Sequence, residues 1–198
     1  MDYAWYGVQK PSIERLQFKV GEKLQAQSIL TNSDGRYDYK VTLDADWVFR
    51  DLTLHRHDDR RFEVCRGNDG TWSVNKEVRP DLKGAIDIDL AFSPFTNTLP
   101  IRRLNLALGF RAEITTAYID ASSFRVVTDP QAYTRTGVDL YLYESLDSDF
   151  RRQIRVDGDG FVIDYPGLYS RYPPAGWHRR PDAESNLDKR PEDRATSP

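Results

Sequence analysis

The chain has 198 residues, with 31 acidic and 28 basic side chains, a net charge of −3, 39% hydrophobic and 12% aromatic residues. That length carries one domain with a sizeable core, and that mixture describes a folded chain with a wet surface rather than a disordered one. The near balance of charge leaves no basic field to condense on a phosphate backbone, which argues against nucleic acid as a partner.

The first residues, MDYAWYGVQKP, have an acidic second position and no apolar run, so they read as neither secretory signal nor anchor. No window approaches the roughly 20 apolar residues that a membrane span requires. Cys65 is the only cysteine, which excludes an internal disulfide and makes a reducing cytoplasm the expected location. With no histidine marked as its neighbour, Cys65 reads as a buried or bystander thiol rather than a nucleophile.

Along the chain, period-two alternation dominates. From Arg36 to Asp44 the odd positions Tyr37, Tyr39, Val41 and Leu43 are apolar or aromatic and the even ones polar, as in a strand with one dry face. Asn32-Ser33-Asp34-Gly35 precedes this segment as a hairpin turn, and Asn68-Asp69-Gly70 and Asp157-Gly158-Asp159-Gly160 make two more, with His55–Arg60 a further polar turn. Val138, Leu140 and Leu142 alternate with Asp139, Tyr141 and Tyr143, and Phe150, Ile154 and Val156 form another apolar face. Half-buried strands of this kind belong to antiparallel sheets. The expectation is a mainly β fold of about ten strands, a many-stranded antiparallel β barrel or strongly curled sheet wrapped around one central α-helix.

That helix falls after Ser93-Pro94-Phe95-Thr96-Asn97-Thr98-Leu99-Pro100. Asn97 or Thr98 can cap it, Pro100 is tolerated in the first turn, and Ile101, Leu104 and Leu108 share one face. The spacing predicts roughly ten residues of helix, Thr98–Ala107, ending before Gly109, against a competing strand pattern in Leu104, Leu106, Leu108 and Phe110. Residues 173–198, rich in Pro and charge, read as a disordered tail, which leaves 1–172 as a single domain.

Several ordered stretches resemble the putative glycolipid-binding family of small bacterial and fungal proteins, formerly a domain of unknown function. They are Gly84–Leu90 followed by Ser93–Leu104, Asp46-Trp47 to Arg50, Asn68–Trp72, Gln131–Thr134, and Val156–Gly160 through Asp164–Leu168 to Arg171. The resemblance covers roughly residues 13 to 172. It implies a β barrel around a central helix, likened in shape to bacterial lipoprotein carriers, and a glycolipid or other amphipathic ligand. It brings no catalytic residues, and a shared fold does not carry a shared ligand.

Asp87 and Asp89 sit two apart and leave one face of a strand, opposite Ile86, Ile88 and Leu90. Turned inward, they need cations, and Arg102 and Arg103 are the nearest candidates; turned outward, they are only solvated. The same pair can serve acid–base chemistry in a hydrolase-like enzyme or hold a divalent cation. Asn97 can bind a headgroup, although capping is the commoner role, and Arg102 and Arg103 can clamp a phosphate or carboxylate. Trp47 and Tyr39, among other aromatics, suit the mouth of a lipid or sugar pocket as well as plain sheet packing.

His55, His57 and Asp59 lack a fourth zinc ligand at a recognisable spacing, and Asp157–Gly160 lacks the downstream Glu of a calcium loop. No metal site, catalytic residue or cofactor is therefore assigned. The ligand-binding candidates are Asp87, Asp89, Asn97, Arg102, Arg103, Trp47 and Tyr39. Three functions compete: a carrier holding an amphipath between sheet and helix, an enzyme built on Asp87 and Asp89, and a ligand-free interaction domain with a solid interior. The sequence is silent on oligomeric state.

Overall fold

The computed structural model describes residues 1–172, so the expected tail at 173–198 lies outside the described residues. Among the described residues, fifteen strands form one sheet. They are β1 (Asp2–Gly7), β2 (Ser12–Lys19), β3 (Leu24–Asn32), β4 (Gly35–Leu43), β5 (Phe49–Arg56), β6 (Arg61–Arg66), β7 (Trp72–Val74) and β8 (Glu77–Val78) in the first half. The second half holds β9 (Asp87–Leu90), β10 (Arg111–Asp120), β11 (Arg125–Arg135), β12 (Leu140–Ser145), β13 (Arg151–Val156), β14 (Val162–Tyr165) and β15 (Tyr169–Arg171). One α-helix, α1 (Thr98–Leu104), follows a 3₁₀ turn at Pro94–Asn97, and a second 3₁₀ turn occupies Pro80–Leu82.

Neighbours in the sheet are neighbours in the chain, joined by tight turns such as the one closed by Gly35 at φ 120°. Two exceptions shape the molecule. β1 lies at the centre, antiparallel to both β2 and β15, so the chain's first and last described strands pair. β9 and β10 run parallel, because the connection between them crosses over through α1 instead of turning back.

The sheet is not closed into a barrel. It runs from β8 to β9 with no ladder between those ends. β8 is only two residues long, and Pro80, which has no amide hydrogen, opens the turn that follows it. The ends meet through side chains instead. Trp72 Nε1 and Arg66 Nε donate to the Ala85 carbonyl at 3.1 and 3.3 Å, Arg79 Nη2 donates to the Val126 carbonyl at 2.8 Å, and the Phe62 and Phe124 rings lie 5.2 Å apart. The sheet thus curls back on itself around a shared interior.

That interior has two packed clusters. The larger gathers inward side chains of β1 to β7 with Ile88, Leu90, Phe95 and Leu99; the smaller joins Ile101 to Tyr133, Tyr141, Tyr143, Ile154, Val156, Val162 and Tyr165. The helix bridges them, with Leu99 fully buried in one and Ile101 in the other. Burial of each contributes about 2 kcal/mol.

The helix is shorter than its apolar spacing predicts: seven residues, not ten. Asn105 adopts φ 43°, a left-handed conformation that asparagine tolerates, and this ends the helix four residues before Gly109. Leu108 is accordingly exposed rather than part of a buried face. The start differs too. Ser93 Oγ caps the 3₁₀ turn by accepting from Phe95 N at 3.2 Å, whereas Asn97 makes no capping bond. On β12 the dry face is Tyr141 and Tyr143, while Leu140 and Leu142 are half-buried and Val138 is exposed, the reverse of the alternation read from hydrophobicity. Large rings with one polar tip fill this side of the interior better than leucines do.

Candidate functional site

A cleft of about 1050 Å³ opens between α1 and the two halves of the sheet. Its apolar wall comprises Trp47, Val48, Ile86, Ile101, Tyr141 and Val156. Five guanidinium groups face the same space, from Arg50, Arg66, Arg102, Arg103 and Arg135, against two carboxylates, Asp46 and Asp157.

Trp47 is placed by the β4–β5 connection. Asp44 Oδ1 accepts from the amides of Asp46 and Val48, both at 3.0 Å, while Asp44 Oδ2 binds Arg50 at 2.5 Å. This holds Trp47 at φ 65°, a left-handed conformation unusual for so bulky a residue. Strain of this kind persists where the surroundings over-determine it. The ring stacks on Phe18 with centroids 5.3 Å apart, and the Arg102 guanidinium lies 5.1 Å from its centroid.

The arginines are unequally engaged. Arg103 grips buried Asp87 through Nε at 3.1 and 3.2 Å and Nη2 at 2.6 Å, the internal ion pair that the inward-facing reading requires. Burial raises the Asp87 pKa while the Arg103 bonds and charge oppose the rise. Arg50 is paired with Asp44, and Arg135 spends its nitrogens on the carbonyls of Leu106, Gly137 and Val138. Arg66 has one long bond to the Ala85 carbonyl, and Arg102 makes no hydrogen bond or ion pair among the described residues. Burial lowers the Arg66 pKa, and the neighbouring Arg50 charge lowers it further. Of the carboxylates at the cleft, Asp157 is held by Arg171 at 2.7 Å and Asp46 is exposed at the rim.

The structure therefore brings Trp47, Arg102 and Arg103 together, with Asp87 behind Arg103. Asp89, Asn97 and Tyr39 do not line the cleft. Asp89 accepts from Gln131 Nε2 at 2.8 Å and Thr96 Oγ1 at 3.2 Å, and burial pushes its pKa up to about 6. Asn97 is buried, donating to the Pro94 carbonyl and accepting from the Tyr133 hydroxyl at 2.9 Å. Tyr39 donates to Glu14, a residue that sequence reasoning passed over. Glu14 Oε1 also accepts from Ser28 and Ser93, both at 2.9 Å, while its Oε2 is buried with no partner among the described residues. Burial pushes the Glu14 pKa up to about 7.

Three cleft arginines, Arg50, Arg66 and Arg135, were also not singled out as candidates. Arg50 ends the Asp46-Trp47 stretch and Arg135 follows Gln131–Thr134, so both border segments that carry the family pattern. Arg66 carries no local signal, because its approach to the cleft depends on the curl of the sheet. Cys65 is exposed rather than buried; partial burial, with Asp51 and Glu63 beside it, raises its thiol pKa, the opposite of nucleophile activation. Among the described residues, no group of three or more His, Cys, Asp and Glu is placed to hold a metal ion. None of the helices described is long and apolar enough to cross a membrane.

Comparison with known proteins places this geometry. The family model described as "Putative glycolipid-binding" matches residues 2–171, all but the ends of the described chain. The chain belongs to that family. A solved structure, the crystal structure of a DUF1089 family protein from Pseudomonas aeruginosa, is 40% identical and superposes with a TM-score of 0.73, over 81% of this chain and 92% of that one. No curated protein matches the sequence. Within that family, then, this member presents a curled open sheet, a two-turn helix, and an arginine-lined cleft where they meet.

Proposed function

We infer that the protein binds an amphipathic ligand of the glycolipid kind, held in the cleft between α1 and the sheet. The observation that carries this reading is the division of the cleft. Trp47, Ile101, Tyr141 and Val156 offer apolar contact, and guanidinium groups stand across from them. Its volume, about 1050 Å³, is just above the usual range of small-molecule sites, room enough for a headgroup and part of a chain. The description of the family points the same way. The hydrolase-like alternative draws no support from this site, since Asp87 is occupied by Arg103 and Asp89 lies away from the cleft.

Trp47 provides the test. Dodecyl maltoside, titrated below its micelle concentration, is expected to change the tryptophan fluorescence of the wild type and of Trp177→Phe saturably and to leave Trp47→Phe/Trp177→Phe silent, because the two remaining tryptophans, Trp5 and Trp72, are buried away from the cleft. A silent wild type, together with native mass spectra free of copurified lipid, would remove the proposal.

A further inference from the structure

We propose that the cleft selects ligands with an anionic oxyanion headgroup of the phosphate class, with Arg66 and Arg102 as its principal donors. This rests on the reading of the cleft as the binding site and adds the charge and chemistry of the group bound there.

Three observations converge on it. Guanidiniums reach one space from separate parts of the fold: Arg66 from the end of β6, Arg102 and Arg103 from α1, and Arg135 from β11. Their mutual repulsion needs offsetting, and among the described residues only Arg50 and Arg103 have a carboxylate in direct contact, while Asp87 and Asp44 act on Arg66 from longer range. Neither Arg102 nor Arg66 has a carboxylate within ion-pair distance among the described residues, and the one side-chain bond of Arg66 goes to the Ala85 carbonyl. Among the described residues Arg103 also keeps Nη1 without a partner, since Asp87 engages only Nε and Nη2.

The second observation is that Arg102 is positioned rather than loose. Its guanidinium lies over the Trp47 ring at 5.1 Å, while its stem runs against Gly160. A Cβ added at Gly160 would stand 2.8 Å from Arg102 Cδ and 3.2 Å from Cγ. The bare glycine and the strained tryptophan together hold an exposed cation in one place.

The third is chemical. Planar guanidiniums with spare N–H groups match the paired oxygens of a phosphate or carboxylate, and a partly desolvated cleft strengthens such charge-assisted bonds. A neutral sugar hydroxyl has no need of several unpaired cations. Placement of Arg102 and Arg103 in the last turn of α1 suits the helix dipole, but that does not account for Arg66 on the sheet.

Four ligands read the proposal on the full chain: dodecyl phosphate, dodecyl maltoside, glycerol 3-phosphate and inorganic phosphate, with Kd measured by calorimetry at low and high salt. Dodecyl phosphate is expected to bind about tenfold or more tighter than dodecyl maltoside at low salt, the preference shrinking as salt rises. In Arg66→Met/Arg102→Met the ratio of the two Kd values should fall toward one. Arg66→Lys/Arg102→Lys should restore part of it, which separates charge recognition from misfolding.

Glycerol 3-phosphate or inorganic phosphate binding as tightly as dodecyl phosphate would uphold the oxyanion site but sink the amphipath. Equal affinity for dodecyl phosphate and dodecyl maltoside, insensitive to salt, would overturn the headgroup inference and leave the amphipath standing. Failure of all four to bind would overturn both.

Discussion

Replacing Glu14 with glutamine should change how stability depends on pH. Glu14 lies inside the sheet at 2% exposure, and burial raises its pKa from the ordinary 4.5 to about 7, against the opposing bonds from Tyr39, Ser93 and Ser28. The folded protein therefore holds the proton more tightly than the unfolded chain. Below pH 4.5 both states are protonated and the group is neutral to stability. Between 4.5 and about 7 the unfolded chain ionises first, so stability falls as pH rises, and above 7 the full penalty is in place. At about 1.4 kcal/mol per pH unit the penalty is about 3 kcal/mol, most of which develops between pH 5 and 8.

Glu14→Gln has no such ionisation. Its amide nitrogen takes the place of the partnerless Oε2, which costs about 1–3 kcal/mol at every pH, so absolute stability is the wrong observable and the slope is the right one. Urea unfolding from pH 5 to 8 is expected to show wild type losing about 2–3 kcal/mol more than the variant. Asp89, with a pKa raised to about 6, adds its own decline to both proteins and cancels in the difference. Parallel stability curves would refute the assignment of a raised pKa to Glu14.

Arg103→Met leaves the Asp87 carboxylate buried without its partner and should cost about 3 kcal/mol in urea unfolding, while Asp87→Asn/Arg103→Met should recover part of that loss. A cost below about 1 kcal/mol for the single variant would mean that Asp87 is not held as an ion pair. Gly160→Ala places a side chain at φ 82° and against Arg102, so about 1 kcal/mol of destabilisation and a shifted Trp47 emission are expected. Unchanged emission and stability would argue that Arg102 does not lie between them.

Alternation made Tyr37 to Leu43 legible as a strand with a buried odd face, because that pattern is local and β4 is paired along its whole length. The turns at Asn32–Gly35, Asn68–Gly70 and Asp157–Gly160 followed from their Asp and Gly chemistry. Other features depend on distant partners. β7, β8 and β15, of two or three residues each, carry too little pattern to stand out. The dry face of β12 follows its tyrosines because Tyr133 and Ile154 pack beside them, which hydrophobicity alone does not encode.

Within the site, the pairing of Asp87 with Arg103 was readable from inward carboxylates near a basic helix, whereas Asp89 found its partners in Gln131 and Thr96 across the fold. Glu14 was within reach of sequence reasoning. It occupies the same alternating face as Leu16 and Phe18, which marks it as an inward acid.

The central position of β1 has a consequence for how the molecule is made. β1 to β8 can zip up hairpin by hairpin as they leave the ribosome, and β10 to β15 can do the same later. The bond from Trp5 Nε1 to the Val162 carbonyl waits for β14, and the pairing of Trp5 with Arg171 waits until Tyr169–Arg171 has been synthesised. Contacts spanning nearly the whole chain are the slowest to find, so for most of translation the strand destined for the middle of the sheet is an open edge.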